Sequence, residues 1–264
     1  MAVEMLGAAT TRNLDPLPVS SDDGTTASAL PLLRAGAGRL GLAITEDMFA
    51  LLQRYAELLL DYNQRVNLTG AKDLAELEVR HLLDSLTVAR HLPEAPATVI
   101  DVGSGGGMPG IPLAIVRSDL QFTLLDSVGK KTTFLEQTVA TLGLGNIAIV
   151  NTRAELAAQT WDYRQRFSVA VARAVADLPL LIELTVPFLK LLGRAILMKK
   201  GDIAEEVARA RRALRTMGGD VVELVDSPLP DLLPGHQLVI VEKTRPTNSQ
   251  YPRRPGIPER RPLG

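Results

Sequence analysis

The stretch VIDVGSGGGMPGIPLAIV, Val99 to Val116, decides the fold. An apolar run ends in Asp101, glycines crowd positions 103 to 107, and Pro109 and Pro112 follow where a helix should begin. A short apolar strand, a glycine turn and a helix make the first half of a strand–helix–strand unit. In open α/β sheets, ligands bind at the carboxyl ends of strands, near the point where strand order reverses. Glycines there adopt positive φ and let backbone approach a ligand. Asp101, Gly103, Ser104 and Gly105 therefore occupy a candidate ligand-binding turn.

The alternation continues outward. TVIDV, QFTLLD, NIAIVN, FSVAVARA and RAILMKK read as strands. KKTTFLEQTVATLGL, DLPLLIELTVPFLKLLG (to Gly193) and DIAEEVARARRALRTMG read as helices between them. DVVELVD and HQLVIVEK are two last strands with no helix to separate them, which predicts an antiparallel edge. The expected fold class is α/β, a mostly parallel sheet covered on both faces. Upstream, Phe49, Leu52, Tyr55, Leu59 and Tyr62 recur at helical spacing after Thr45, an N-cap residue type. A second helix is expected over Asp73 to Arg90. Residues 1–40 are rich in Ala, Gly, Ser, Thr, Asp and Pro and read as a disordered extension. The expected domain covers 41–245, with N-terminal helices over 45–90, and a basic Pro/Arg-rich tail covers 246–264.

Composition narrows the chemistry. The chain has 264 residues, no cysteine and three histidines. That excludes disulfides and thiolate chemistry and argues against a metal site. No apolar run approaches the ~20 residues of a membrane span. The start, MAVEMLGAAT, lacks a basic region followed by an apolar core, so a soluble, cytoplasmic protein is expected; separately, a monomer is expected. Net charge is −1, yet from Lys243 onward six cations face one acid, Glu259. Charge alone reads this end as a solvated tail; the sharper reading is a phosphate-binding arm.

The ligand class turns on Met108 and Pro109. A P-loop needs a Gly-Lys-Ser/Thr ending that is absent. A dinucleotide fingerprint needs glycine at position 108, which is Met. Pro109 brings no N–H to the helix start, where a pyrophosphate seeks donors. Both residues favour a donor without phosphates, S-adenosylmethionine, over a dinucleotide. Asp101 would face its ammonium or sulfonium end. Asp126 closes the second strand at the spacing of a ribose-binding acid; the plainer reading is a cap on the next helix.

Five ordered motifs carry a family resemblance: YNQRVNLTG (62–70), RHLLDSL (80–86), DVGSGGGMPGIPLAI (101–115), LLDSVGKKTTFLEQ (124–137) and VARAVADL (171–178). Together they resemble the bacterial ribosomal RNA small subunit methyltransferase G family, guanine-N7 methyltransferases formerly called glucose-inhibited division protein B. The resemblance implies a Rossmann-like, class I S-adenosylmethionine-dependent methyltransferase fold. It implies methyl transfer to N7 of one guanosine, nucleotide 527, in the decoding region of 16S rRNA, within the small subunit or an assembly precursor. It places cofactor contacts at Gly103, Met108, Ala154, Glu155 and Arg173.

Guanine N7 carries a free lone pair, so its methylation needs neither thiolate nor strong base. Pyrimidine C5 methylation normally uses a cysteine nucleophile, which this chain lacks. Arg173, Asn67 and Arg80 are the candidates for positioning the substrate. Arg80 and Asp84 equally fit a surface i,i+4 pair. Arg173 follows a buried strand and should meet a carboxylate or ligand, with Glu155 one possible partner. Lys130, Lys131, Lys199, Lys200, Arg253, Arg254, Arg260 and Arg261 are candidate RNA contacts, and the tail is expected to order on RNA. The alternative reading is a small-molecule methyltransferase with the same cofactor site.

Overall fold

Along β1 (Thr98–Val102), successive side chains point to opposite faces of the sheet. Val99 packs with Leu113 and Phe122 on one side; Ile100 and Val102 pack with Ala170 and Leu181 on the other. Both faces are therefore apolar, as a central parallel strand requires. The computed structural model describes residues 30–173 and 176–264. β1 pairs in parallel with β2 (Gln121–Asp126) and with β4 (Phe167–Arg173). The chain runs outward from β1 through β2 to β3 (Ile147–Asn151), then crosses to β4 and on to β5 (Leu189–Lys200). The switch point thus lies between the carboxyl ends of β1 and β4, where the glycine turn and Arg173 meet.

β6 (Gly219–Asp226) and β7 (His236–Lys243) complete a seven-stranded sheet of order β3-β2-β1-β4-β5-β7-β6. The predicted antiparallel pairing is present. The reversed strand, β7, lies one place in from the edge, between β5 and β6.

Three segments differ from the sequence reading. First, helix α1 (Pro31–Arg39) falls inside the expected disordered extension. Leu33 is fully buried, its amide donates to Glu78 Oε1 at 2.7 Å, and Gly36 lies against Leu83. Two glycines weaken this helix intrinsically; partners more than 40 positions away hold it. Residues 1–29 of that extension lie outside the described residues.

Second, α2 (Glu46–Asn63) matches the predicted first helix, but the second is broken. It runs as α3 (Leu74–Leu77), a π turn (Glu78–Leu83), α4 (Asp84–Leu86) and a 3₁₀ turn (Thr87–His91). π turns concentrate at functional sites, and this one carries Arg80 and His81.

Third, the predicted helix ending at Gly193 stops early. After β1 come α5 (Gly110–Val116), α6 (Gly129–Leu142), α7 (Ala154–Ala157) and α8 (Leu178–Thr185). Pro187 sits in the 3₁₀ turn that ends α8, and β5 begins at Leu189. Apolar runs such as LKLL cannot be assigned by periodicity alone.

Helix α9 (Ala204–Met217) packs with α7 and α8 on one face of the sheet. The tail joins them rather than standing free. It lacks a core of its own, as its prolines imply, and borrows the domain's. Leu263 is buried in the same cluster, and α10 (Ile257–Arg260) rests against α8. Arg253 is held by Glu183, whose side chain is fully buried. Lys243 is fully buried too, its Nζ donating to the Val186 carbonyl. These cations are spent inside the fold, which sequence charge counting does not see.

Candidate functional site

The glycine turn is fastened from three sides. Gly103, Gly105 and Gly107 have φ of 78°, 58° and 98°, conformations that side chains resist. The hydroxyl of Tyr55, on α2, donates to the Gly106 carbonyl at 2.7 Å. A Cβ on Gly110 would collide with Leu124 and reach Asp101 Oδ2.

The helix that follows offers little to a phosphate. Pro109 precedes α5 and has no N–H. The Gly110 amide is spent on Asp101 Oδ2 at 2.9 Å, and the Ile111 amide on Gly107 O at 2.7 Å. The Gly105 amide donates to Asp126 Oδ2 at 2.9 Å. The donors that cradle a pyrophosphate in a dinucleotide site are satisfied internally. That is the structural reason the dinucleotide reading fails.

Gly103, Ser104, Gly105, Met108, Asp126, Ala154, Glu155 and Arg173 line one cleft of about 620 Å³. The cleft lies at the carboxyl ends of β1, β2, β3 and β4. The space on the side-chain face of Gly105 is open, with nothing nearer than Gly103 O at 3.9 Å. Met108, Val102 and Leu125 supply apolar wall; Asp126 and Glu155 supply carboxylates. This mix fits a ligand with a ribose, an aromatic base and cationic groups. Asp126 does not cap α6, whose N-cap is Val128: its Oδ1 accepts from the Val128 amide just ahead of that helix, and the residue lines the cleft.

Asp101 is corrected. It does not line the cleft but lies fully buried beneath the turn. Oδ2 braces Gly110, while Oδ1 is buried without a partner among the described residues. Burial pushes its carboxyl up to about 7, against the Gly110 amide. A raised folded pKa means that stability is fully present below the unfolded value and is lost as pH rises through the folded one. Asp101→Asn removes this titration. Its stability relative to the parent is expected to improve between pH 4 and pH 7 by roughly 2–4 kcal/mol, then to level off. Denaturant melts across that range check it, and a pH-independent difference contradicts it.

Arg173 ends β4 and finds a different carboxylate from the one expected. Its Nη1 donates to Asp84 Oδ2 at 3.4 Å and to the Arg80 carbonyl at 3.2 Å. Its Nη2 contacts His81 Nδ1 at 2.9 Å and Met108 Sδ at 3.5 Å. Glu155 instead meets Arg153 and the Gly256 amide. Arginine only donates, so His81 Nδ1 is the acceptor and Nε2–H donates to Thr69 Oγ1 at 3.0 Å. Burial, reinforced by Arg173, pulls His81 down to about 4, so it is neutral at pH 7. Asp84 Oδ1 in turn accepts from His236 Nδ1 at 2.8 Å. Asp84 is 152 positions from His236, so no local pattern links them; sequence reading missed His236.

These residues wall a second cavity, of about 290 Å³, with Arg80, Met198, Lys199 and Lys200. Arg173 borders both this cavity and the cleft. It stands as the partition between them.

The other candidates divide. Arg80 borders the second cavity, and its ion pair is with Glu76 at 2.6 Å, not with Asp84. Asn67 is exposed and reaches neither cavity. Asn63, unremarked in the sequence, organises that turn: its side chain binds the Leu68 and Thr69 amides and the Thr69 carbonyl. Asn63→Ala is expected to lower the melting temperature by several degrees and Asn67→Ala hardly at all, because only Asn63 satisfies buried backbone. Equal effects would refute this division.

Among the cations, Lys131 lines the cleft and Lys130 is exposed beside it. Lys199 is committed to Glu206 at 2.7 Å and to the Ala176 carbonyl. Lys200 keeps no ion pair among the described residues and borders the second cavity. Arg253 is withdrawn as an RNA contact by Glu183, whereas Arg254, Arg260 and Arg261 are exposed. No described helix is long and apolar enough to cross a membrane, and no described acid or histidine cluster could hold a metal.

Comparison with known proteins gives these features a context. The family model for rRNA small subunit methyltransferase G matches residues 48–228. The ribosomal RNA small subunit methyltransferase G of Dehalococcoides mccartyi is 41% identical over 228 residues, covering 86% of this chain and 97% of the relative. That of Roseiflexus sp. is 40% identical over 223 residues, covering 84% and 95%. Among solved structures, a geranyl diphosphate methyltransferase in complex with GPP and sinefungin superposes with a TM-score of 0.52 at 13% identity, over 76% of this chain and 100% of that one. The [4+2]-cyclase SpnF superposes with a TM-score of 0.50 at 15% identity, over 78% and 98%. At such identities the structures speak for the fold alone.

Proposed function

This chain belongs to the rRNA small subunit methyltransferase G family, and from that premise we propose that it methylates N7 of one guanosine in the decoding region of 16S rRNA, nucleotide 527. It is a methyltransferase that depends on S-adenosylmethionine.

The observation that carries it is the second cavity beside the donor cleft, divided from it by Arg173. Enzymes that act on a base take it out of the stack into a pocket. A guanine entering beside Arg80 and Lys200 would meet cations suited to its phosphate and O6. Bound S-adenosylmethionine supplies an electrophilic methyl group. The chain's own task is to orient N7 toward the methyl group, at a near-attack distance of ~3–3.5 Å. N7 brings its own lone pair, so no residue need remove a proton first. Methylation leaves the base positively charged. Asp84, 8% exposed on its side chain, is the carboxylate facing that cavity and offsets the charge. Neutral His81 fixes the Arg173 guanidinium without adding charge.

The acceptor proposed is the RNA within the small subunit or an assembly precursor, and the setting a cytoplasmic monomer. Incubation with labelled methyl donor and 30S subunits from cells lacking the modification tests this. Label is expected in 16S rRNA. Label that appears only in added small molecules overturns the RNA reading.

A further inference from the structure

The outer wall of the donor cleft is completed by a segment that the family match at 48–228 does not include. Glu259, on α10, borders the cleft together with Asp126 and Glu155. We propose that residues 251–263 form a strap over the adenine end of the donor site, and that Glu259 on this strap reads the adenine 6-amino group. The proposal rests on the cleft being the methyl-donor site.

The strap is built in. Arg253 engages both oxygens of fully buried Glu183, through Nη2 at 2.6 Å, Nε at 2.9 Å and its amide at 2.9 Å. A buried carboxylate is costly unless paired, so α8 carries Glu183 at a cost that, among the described residues, the strap relieves. Arg164 Nη1 donates to the Tyr251 carbonyl at 2.7 Å and Gln159 Nε2 to the Pro252 carbonyl at 2.9 Å. Leu263 closes the far end in the core.

The strap also touches the cleft. The Gly256 amide donates to Glu155 Oε1 at 3.0 Å, and Glu155 is itself buried in the cleft wall. Asp126 ends β2; Ala154 and Glu155 follow β3, the next strand outward. A ribose held at Asp126 would leave its base room on the β3 side, where the strap meets Glu155. Glu259 has no ion pair or hydrogen bond among the described residues. A carboxylate only accepts, and the one hydrogen-bond donor on the edge of adenine is its 6-amino group. The ligand's amino-acid end would lie at the other end of the cleft, where Gly103 and Arg173 line it and the guanidinium suits the carboxylate.

Calorimetry on the full chain tests this with S-adenosylhomocysteine and S-inosylhomocysteine, which carries oxygen in place of the amino group. The parent is expected to prefer the adenine ligand by about tenfold or more, the scale of a hydrogen bond to a charged group. Glu259→Gln, at an exposed position, is expected to reduce that preference severalfold. The double variant Arg253→Ala/Glu183→Gln removes the latch without leaving a lone buried charge, and is expected to do the same. An unchanged preference in Glu259→Gln overturns the role of Glu259. An unchanged preference in the double variant overturns the latch. A parent that binds neither ligand overturns the donor-site reading itself, and the strap proposal with it.

Discussion

Gly103→Asp is expected to abolish binding of S-adenosylmethionine, with an affinity loss on the order of a thousandfold or more. Two effects add. Gly103 has φ of 78°, where a side chain costs roughly 1 kcal/mol or more. The added carboxylate would also stand at the mouth of a cleft whose wall already holds Asp126 and Glu155. The Gly103 amide donates to Leu125 O at 2.8 Å, so the turn cannot swing away without breaking its tie to β2. Calorimetric titration gives the answer; near-normal affinity refutes the assignment of the turn. Circular dichroism should stay near that of the parent, because the change sits on the cleft side.

Arg173→Ala is expected to lower kcat by on the order of 10²–10³-fold, while donor affinity falls less than tenfold. The residue is the partition between the two cavities and binds Asp84, His81 and the Arg80 carbonyl together. Its loss leaves Asp84 buried with His236 as the remaining partner of its carboxylate among the described residues. Breaking a buried ion pair typically costs about 3–5 kcal/mol, so a lower melting temperature is expected as well. Arg173→Lys separates the effects. It restores a charge beside Asp84 without the planar fork that reaches His81 and Asp84 at once. Stability should recover more than kcat. Single-turnover kinetics with excess enzyme read the chemical step, and equal recovery of both would make Arg173 merely structural.

What was legible in the sequence follows the range of the interactions. β1, its glycine turn and Asp126 follow one another within about 30 positions, and their roles show in local pattern, although Tyr55 and β4, which brace them, come from farther away in the chain. Met108 and Pro109 argue for a donor without phosphates for a reason that the structure extends: the neighbouring amides of Gly110 and Ile111 are already spent. Helix α1 was not legible because Glu78 and Leu83 stabilise it, not its own composition. The Asp84–His236 contact joins the second helical segment to β7. Nothing near either residue announces the other. Arg253 and Lys199 read as candidate RNA contacts because their acids, Glu183 and Glu206, come from other elements and no local pattern shows the pairing. Tertiary pairing, not residue type, decides which basic residues are spent within the fold.

The most direct measurement of the central claim maps the methyl group on 16S rRNA. Small subunits lacking the modification are incubated with the protein and S-adenosylmethionine. The RNA is then treated with borohydride and aniline, which cut the chain at N7-methylguanosine, and primer extension locates the break. The account predicts one new stop, at a single guanosine in the decoding region, absent without the protein and absent with Gly103→Asp. Methylation with no aniline-sensitive guanosine, or a break elsewhere in the RNA, would contradict it.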